Sequence, residues 1–391
     1  MQSQNKFRTV KRVMVVFVSA ILLLVILAGL QRLVQPKYAG DMPEGNFTAE
    51  YYDETTNHDL LVIGDCEVYE NIDPIYLWKN YGITSYIRGN AQQLTWQSYY
   101  MLEDALKYET PKVVIYNVQA LTYGEPQREE YNRMTLDGMK WSMTKYNAIR
   151  SSRCEGEEMM DYIFPLLRYH SRILDLTKED LDYFWNRKKS THNGYYMRID
   201  VLPVSESDVA DSSWLLGEEE ETEEIDDPWA DIAGAEEETA IMAKREQGKP
   251  FGNLPMEYLD KIRKLCEENK IQLILMKAPS LAPVWYESDE KQVVEYAEKY
   301  QLPYINFYEH LDETEIDYET DTYDGGLHMN LSGADKLSKY LGRVLTEEYK
   351  LADHRKDSGY SDAYREKEKF YEEMIQAQQK ELDMYGEIRS Y

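Results

Sequence analysis

Residues 61–74 read LVIGDCEVYENIDP, and the fold turns on how this stretch is taken. Leu61-Val62-Ile63 is an uninterrupted apolar run, stopped by Gly64-Asp65, with a helix to follow from Asp73. An apolar run of this continuity suits a strand buried on both faces, the signature of a parallel sheet. Four more such runs follow: TSYIRG (84–89), KVVIYNV (112–118), IQLILMKAP (271–279) and LPYINF (302–307). Helical patterns separate them at 94–108, 256–269 and 288–300, and a last helix begins near Ser332. Strands alternating with helices of this length predict an α/β fold, a flavodoxin-like three-layer parallel sheet covered by helices on both faces.

In such sheets ligands bind outside the carboxyl ends of the strands. The first strand delivers Gly64-Asp65-Cys66 there, the second Gly89, Asn90 and Gln92, and the third Asn117 and Gln119. The loop before the last helix, DTYDGGLHMNLSG (321–333), adds Asp324 and His328.

Outward from this core the chain changes character. Val13 to Leu30, VMVVFVSAILLLVILAGL, carries no charge over eighteen residues. As a helix rising ~1.5 Å per residue it spans about 27 Å, enough to cross the hydrocarbon. Lys6, Arg8, Lys11 and Arg12 precede it, and only Arg32 and Lys37 follow closely. The positive-inside rule therefore places residues 1–12 in the cytoplasm and exports the rest. A cleaved signal peptide is the alternative; the run is longer than its apolar region usually is, and no small-x-small site follows. The expected organisation is an anchor at 13–30, a polar stalk at 31–57, an α/β domain at 58–350 and a charged helical tail at 351–391. Within the domain, 121–250 reads as an insertion, mostly helical to about Asp200 and expected over the carboxyl edge of the sheet. Pro203 to Ala243 holds fifteen Asp and Glu and no Lys or Arg, the composition of a solvated, disordered loop. In the tail, Tyr364, Tyr371, Gln378 and Tyr385 recur every seven residues, a stripe expected to pack on the domain itself.

A formal charge of −28 argues against a nucleic-acid partner, because that binding rests on neutralising phosphates with Lys and Arg. Three cysteines leave at least one free thiol outside the membrane. Six scattered histidines show no metal-ligand spacing, and no phosphate-cradling or dinucleotide fingerprint follows a strand, so neither metal nor cofactor is expected.

The blocks at the strand ends resemble those of the SGNH (GDSL) hydrolase superfamily over roughly 58–120 and 255–355. Gly64-Asp65-Cys66 matches the family's Gly-Asp-Ser, and Gly89 its second-block glycine. Asn117 or Gln119 stands for its asparagine, and Asp324 and His328 for its terminal pair. Cysteine replaces the family's serine, and Asp324 precedes His328 by four residues where three is usual. The anchored, exported form is similar to teichoic-acid D-alanyl transfer proteins and alginate-type O-acetyltransferases. That likeness implies acyl transfer or ester hydrolysis on a bacterial cell-envelope polymer or an acylated small molecule, beside a membrane-bound O-acyltransferase partner.

On this reading Cys66 is the nucleophile, His328 the base and Asp324 its orienter, a Cys-His-Asp variant of the triad. The start of a helix and the neighbouring histidine are expected to favour the thiolate. Gly89, Gln119 and Asn117 are the oxyanion-hole candidates. Asp65, Asn90, Gln92, His170 and Arg172 are weaker candidates for touching substrate, and Trp285 for lining a groove or filling the core. Taken singly, each residue also has a structural reading, since a free cysteine is most often a small buried side chain. A non-catalytic member of the fold, binding glycan or a membrane acyltransferase, is the rival function, and a thioesterase acting on small acyl carriers a weaker third.

Overall fold

The computed structural model describes residues 2–36, 47–126, 128–185, 189–204, 249–281 and 283–389. The chain divides into two units, residues 43–154 with 189–391 and residues 1–42 with 155–188. The acidic stretch expected at 203–248 lies outside the described residues from 205 onward.

The larger unit is built on five parallel strands, β1 (Leu60–Gly64), β2 (Ser85–Gly89), β3 (Val113–Asn117), β4 (Gln272–Lys277) and β5 (Tyr304–Asn306), in the order β2-β1-β3-β4-β5. The register is set from the middle outward, with Val62 opposite Ile87 on one side and Ile115 on the other. Side chains alternate across each strand. Leu60 and Val62 of β1 therefore join one core with Trp78, Leu337 and Leu341, while Leu61 and Ile63 join the other with Trp96, Leu259 and Ile262. Both faces are buried, which explains why β1 reads as an unbroken apolar run.

Two helices follow β1, α2 (Cys66–Asn71) and α3 (Pro74–Tyr81); the apolar helix at the N-terminus is α1 (Gln2–Val34). Asp73 caps α3 by accepting from the N–H groups of Ile75 and Tyr76, and Pro74 needs no such partner. Helix α4 (Thr95–Ala105) covers the opposite face. The edge of β2 is closed by residues 191–195: the Asn193 carbonyl accepts from Ile87 N–H, and its side chain donates to Ser85 O. Covering an edge in this way removes a template for strand pairing with other chains.

Two boundaries differ from expectation. The stretch expected as stalk contributes to the domain from Phe47 onward, because Phe47 packs on Tyr69 and Tyr196 and Glu50 accepts from the backbone of Ser190 and Thr191. The insertion expected over the carboxyl edge is split. Helices α5 (Glu129–Leu136) and α6 (Met143–Ser152) pack with α4 and each other, tied by Gln97–Asn132 and Thr144–Glu103 hydrogen bonds, whereas 155–188 belongs to the unit of α1. That smaller unit comprises α1, α7 (Met159–Ile163), α8 (Pro165–Tyr169), a 3-10 turn over His170–Leu174 and α9 (Lys178–Trp185). From Arg8 to Val34, α1 is long and apolar enough to cross a membrane or to serve as a signal sequence.

The tail forms one helix, Ser358–Tyr385, whose Tyr364, Tyr371 and Gln378 are buried while Tyr385 is exposed. Tyr364 stacks on Trp78 with ring centroids 4.0 Å apart and its hydroxyl pairs with Asn193. Tyr364→Ala is expected to destabilise the domain by about 3 kcal/mol or more, whereas Tyr364→Phe should cost only about 1 kcal/mol for the lost hydrogen bond. Urea unfolding of the two variants beside the parent chain measures the difference.

Candidate active site

The strand ends meet over bare backbone. A β-carbon on Gly89 would stand 2.4 Å from Val68 Cγ2 and 2.9 Å from the Asp65 carbonyl oxygen; one on Gly64 would stand 2.9 Å from Asn117 Cβ. Glycine at both positions lets the first turn of α2 lie directly on the ends of β1 and β2. Cys66 is thereby brought to the point where the strand order reverses between β1 and β3, the usual ligand site of such sheets.

Beneath it lies a fully buried polar network. Asp65 Oδ1 accepts from Asn117 Nδ2 at 3.1 Å and Oδ2 from the Tyr123 hydroxyl at 3.0 Å. The Asn117 amide also donates to Glu67 at 2.8 Å, and its oxygen accepts from Ala278 N–H. Glu67 receives Lys277 Nζ at 2.8 Å, and Lys277 donates in addition to the Ala278 carbonyl. Two assignments made from sequence change here. Asp65 is buried with both carboxylate oxygens taken by Asn117 and Tyr123, and Asn117 has both amide hydrogens on the carboxylates of Asp65 and Glu67. Burial raises the pKa of Asp65 against its Tyr123 and Asn117 hydrogen bonds, and pushes Glu67 up to about 7 against the pull of Lys277.

Above the network the structure brings Cys66, His328 and Asp324 together. Asp324 accepts from His328 N–H at 2.8 Å and lies 2.6 Å from His328 Nδ1. Gly325 and Gly326, with φ of 76° and 96°, let the loop fold back over the extra residue. The charge of the nearby His328 acts on the Cys66 thiol and favours its ionisation. Glu70 adds a second carboxylate 3.5 Å from His328 Nδ1, and the Tyr323 hydroxyl donates to it. At the far end of α2, Asn71 accepts from Met329 N–H at 2.8 Å and donates to Ser280. The ligand atoms of Glu70, Asp324 and His328 fall within 4.8 Å of one another, with His328 Nδ1 and Asp324 Oδ2 paired at 2.6 Å.

The resting charge state reverses the expectation of a stabilised thiolate. Burial pushes the Cys66 thiol up to about 12, with the charge and hydrogen bond of His328 pulling the other way. Only 6% of Cys66 is exposed, and the six-residue α2 does not offset that desolvation. His328 is raised well above its ordinary value: burial opposes the charge, but Glu70, Cys66 and Asp324 all favour the imidazolium.

Several buried amide groups at the strand ends have no partner among the described residues. Both ends of the Gln92 amide, Asn90 Oδ1 and Gln119 Oε1 are in this state, and Gln92 holds a left-handed φ of 47°. Asn90 otherwise donates to Gln93, and Gln119 only to Thr122 at 3.5 Å. His170 and Arg172 belong to the unit of α1, where His170 Nδ1 pairs with Leu167 O and Arg172 donates to Val34 O and Asp180. Trp285 is buried against Phe251 and donates to Glu290, so it fills the core.

Sequence reading passed over Glu67, Glu70, Lys277, Tyr123 and Tyr323. Glu70 carried a signal, since residues four apart share a helix face and Cys66 opens the helix. Lys277 carried another: a lysine inside an apolar strand requires a buried partner.

No protein-family model and no curated protein matches the chain. Among solved structures it is similar to a GDSL-like lipase from Bacteroides thetaiotaomicron, with 11% identity over 74% of this chain and 87% of that one and a TM-score of 0.31. It is also similar to an acylhydrolase from Bacteroides fragilis, with 11% identity over 80% of this chain and 99% of that one and a TM-score of 0.32.

With the thiol held at about 12, alkylation of Cys66 by iodoacetamide is expected to be slow at neutral pH and to accelerate into the alkaline range without a neutral plateau, followed by peptide mapping. Because a carboxylate favours the protonated ring, Glu70→Gln should move the His328 titration, read from its imidazole NMR signals, to lower pH.

Proposed function

We propose that the sheet domain is an SGNH-type acyl-transferring enzyme, an esterase or O-acyltransferase, held by α1 on the outer face of a bacterial membrane and acting on a cell-envelope polymer. The observation that supports this reading is the pairing of Asp324 with the Nδ1 side of the His328 imidazole, beside a Cys66 thiol whose ionisation the same ring favours. Nδ1 is taken, so Nε2 is left for the thiol.

In the reaction so built, His328 takes the Cys66 proton as the sulfur attacks the acyl carbonyl. The carbon–oxygen bond of the ester breaks, and the leaving hydroxyl receives that proton from the imidazolium. Water or an acceptor hydroxyl then attacks the thioester, gives its proton to His328, and the thiol is restored. Asp324 and Glu70 both stabilise the imidazolium that each step creates, the role of the carboxylate in any such triad. The buried amides of Gln92, Asn90 and Gln119 supply the polar contacts a substrate would complete, since buried polar atoms left unpaired are rare without a reason. Gln119, with the backbone N–H groups of Cys66 and Gly89, forms the oxyanion hole, each donor contributing typically about 3 kcal/mol to the transition state.

A second reading is favoured by one observation: the buried, protonated thiol is also what a lapsed site would hold. The domain would then bind glycan or a membrane-bound acyltransferase partner without chemistry of its own.

Esterase assays with activated acetyl esters separate the two. The enzyme reading expects activity that disappears in Cys66→Ala, persists in part in Cys66→Ser, and falls by about 100-fold in kcat with little change in KM in Gln119→Ala. No esterase activity in the parent chain leaves the binding reading standing, and activity indifferent to Cys66→Ala overturns Cys66 as the nucleophile.

A further inference from the structure

The helical segment 155–185 carries a feature that acyl transfer does not use. It is latched to the carboxyl end of α1. Arg172 Nη1 donates to Val34 O at 2.7 Å while Nη2 bonds Asp180 at 2.8 Å, and Asp180 in turn accepts from Thr177 N–H and its hydroxyl. The Arg32 guanidinium lies 5.4 Å from the centre of the Phe184 ring, and that ring reaches 4.0 Å from where Gly29 would carry a β-carbon. These contacts fall between Gly29 and Val34, within two turns of the end of the apolar run.

The other side of the segment is unusually apolar for an exposed surface. Leu174 is 90% exposed and Trp185 76%, and Phe164, Leu167, Ile173 and Leu181 are exposed as well. Residues 164–174, FPLLRYHSRIL, contain two arginines, a histidine and a tyrosine and no acidic residue, in a chain of net charge −28. Aliphatic side chains with arginines and tyrosine or tryptophan are what the boundary between headgroups and acyl chains selects.

The latch fixes the depth. If residues 13–30 fill the hydrocarbon, Gly29–Val34 stand at its outer limit, and whatever grips them stands there too. We propose that residues 155–185 form an interfacial foot, a collar on α1 that lies in the outer headgroup region with Leu174 and Trp185 immersed toward the acyl chains. The occupant of this apolar face is the bilayer itself. This inference rests on α1 being an uncleaved anchor, so its test must tell the two apart.

The full-length chain, with its native cysteines replaced, is reconstituted in phosphatidylcholine nanodiscs containing lipids brominated both near the headgroup end and near the methyl end of their chains. An environment-sensitive fluorophore is placed by single substitutions Leu174→Cys, Trp185→Cys, Leu22→Cys within the apolar run, and Gln379→Cys on the exposed face of the C-terminal helix. The foot predicts loss of emission at 174 and 185 and none at 379. Quenching at 22 with none at 174 and 185 overturns the foot and leaves the anchor. No quenching at 22 overturns the anchor and the foot with it. Positions 174 and 185 unquenched in pure lipid, yet shielded from a membrane-impermeant maleimide in native membranes, would assign the face to a protein partner and overturn the bilayer as its occupant.

Discussion

A β-carbon on Gly89 would stand 2.4 Å from Val68, so the first turn of α2 can rest on the strand ends only because two strands finish in bare backbone. Everything in the site follows from that approach. It sets Asp65 down among Asn117 and Tyr123, turns Glu67 toward Lys277, and leaves Cys66 facing the loop that carries His328. The buried charges underneath hold this turn in one place. Removing a single partner, Lys277 or Asn117, would strand a carboxylate in a dry interior, which is far more costly than never having built the network. Such a network contributes little net stability, and its effect is to fix the position of the turn that carries Cys66.

Helix α2 is short, yet nearly every residue on it connects to a different element. Glu67 reaches β4 through Lys277, Glu70 reaches the His328 loop, and Asn71 meets both Met329 and Ser280. The two halves of the candidate site come from opposite ends of the domain's sequence, and α2 is where they are tied together. Asp73, one turn beyond, accepts from the Tyr371 hydroxyl while its N–H donates to Ser338. The C-terminal helix therefore reaches the loop that leaves the site, which gives the tail a structural task the acidic composition alone would not suggest.

The fold was legible because it is written in periodicity. Continuous apolar strands, helices between them and glycines at the strand ends are local properties, and the parallel sheet with both faces buried follows from them. The site was legible as a sequence of strand-end residues, and Cys66, Asp324 and His328 do lie together. What the sequence did not disclose is how completely a side chain would be used. Asn117 looked like a donor for substrate and is consumed by two carboxylates; Asp65 looked exposed to the cleft and is buried. The hydrogen-bond partners that decide this, Lys277 and Tyr123, come from elsewhere in the chain, and only packing brings them in. The thiolate expected at a helix start failed for a similar reason. A helix terminus acts over one turn, and here desolvation of a nearly inaccessible sulfur outweighs it.

The electrostatics of the site show what a second carboxylate changes. In a triad with one carboxylate, the histidine stays neutral at rest and becomes charged only as it takes the proton. Glu70 beside Asp324 gives His328 two negative neighbours, so the same interaction that stabilises the imidazolium in the transition state also favours it in the resting site. Only the part of that stabilisation absent from the resting state accelerates reaction. A thiol that burial pushes up to about 12 then needs a base, while the histidine beside it is biased toward its protonated form. Substrate can shift this balance by bringing its own dipoles and excluding water above a site whose polar atoms at Gln92 and Asn90 still await partners. On physical grounds the burial that holds the Cys66 thiol protonated, and not the helix start, sets the charge state of this cleft.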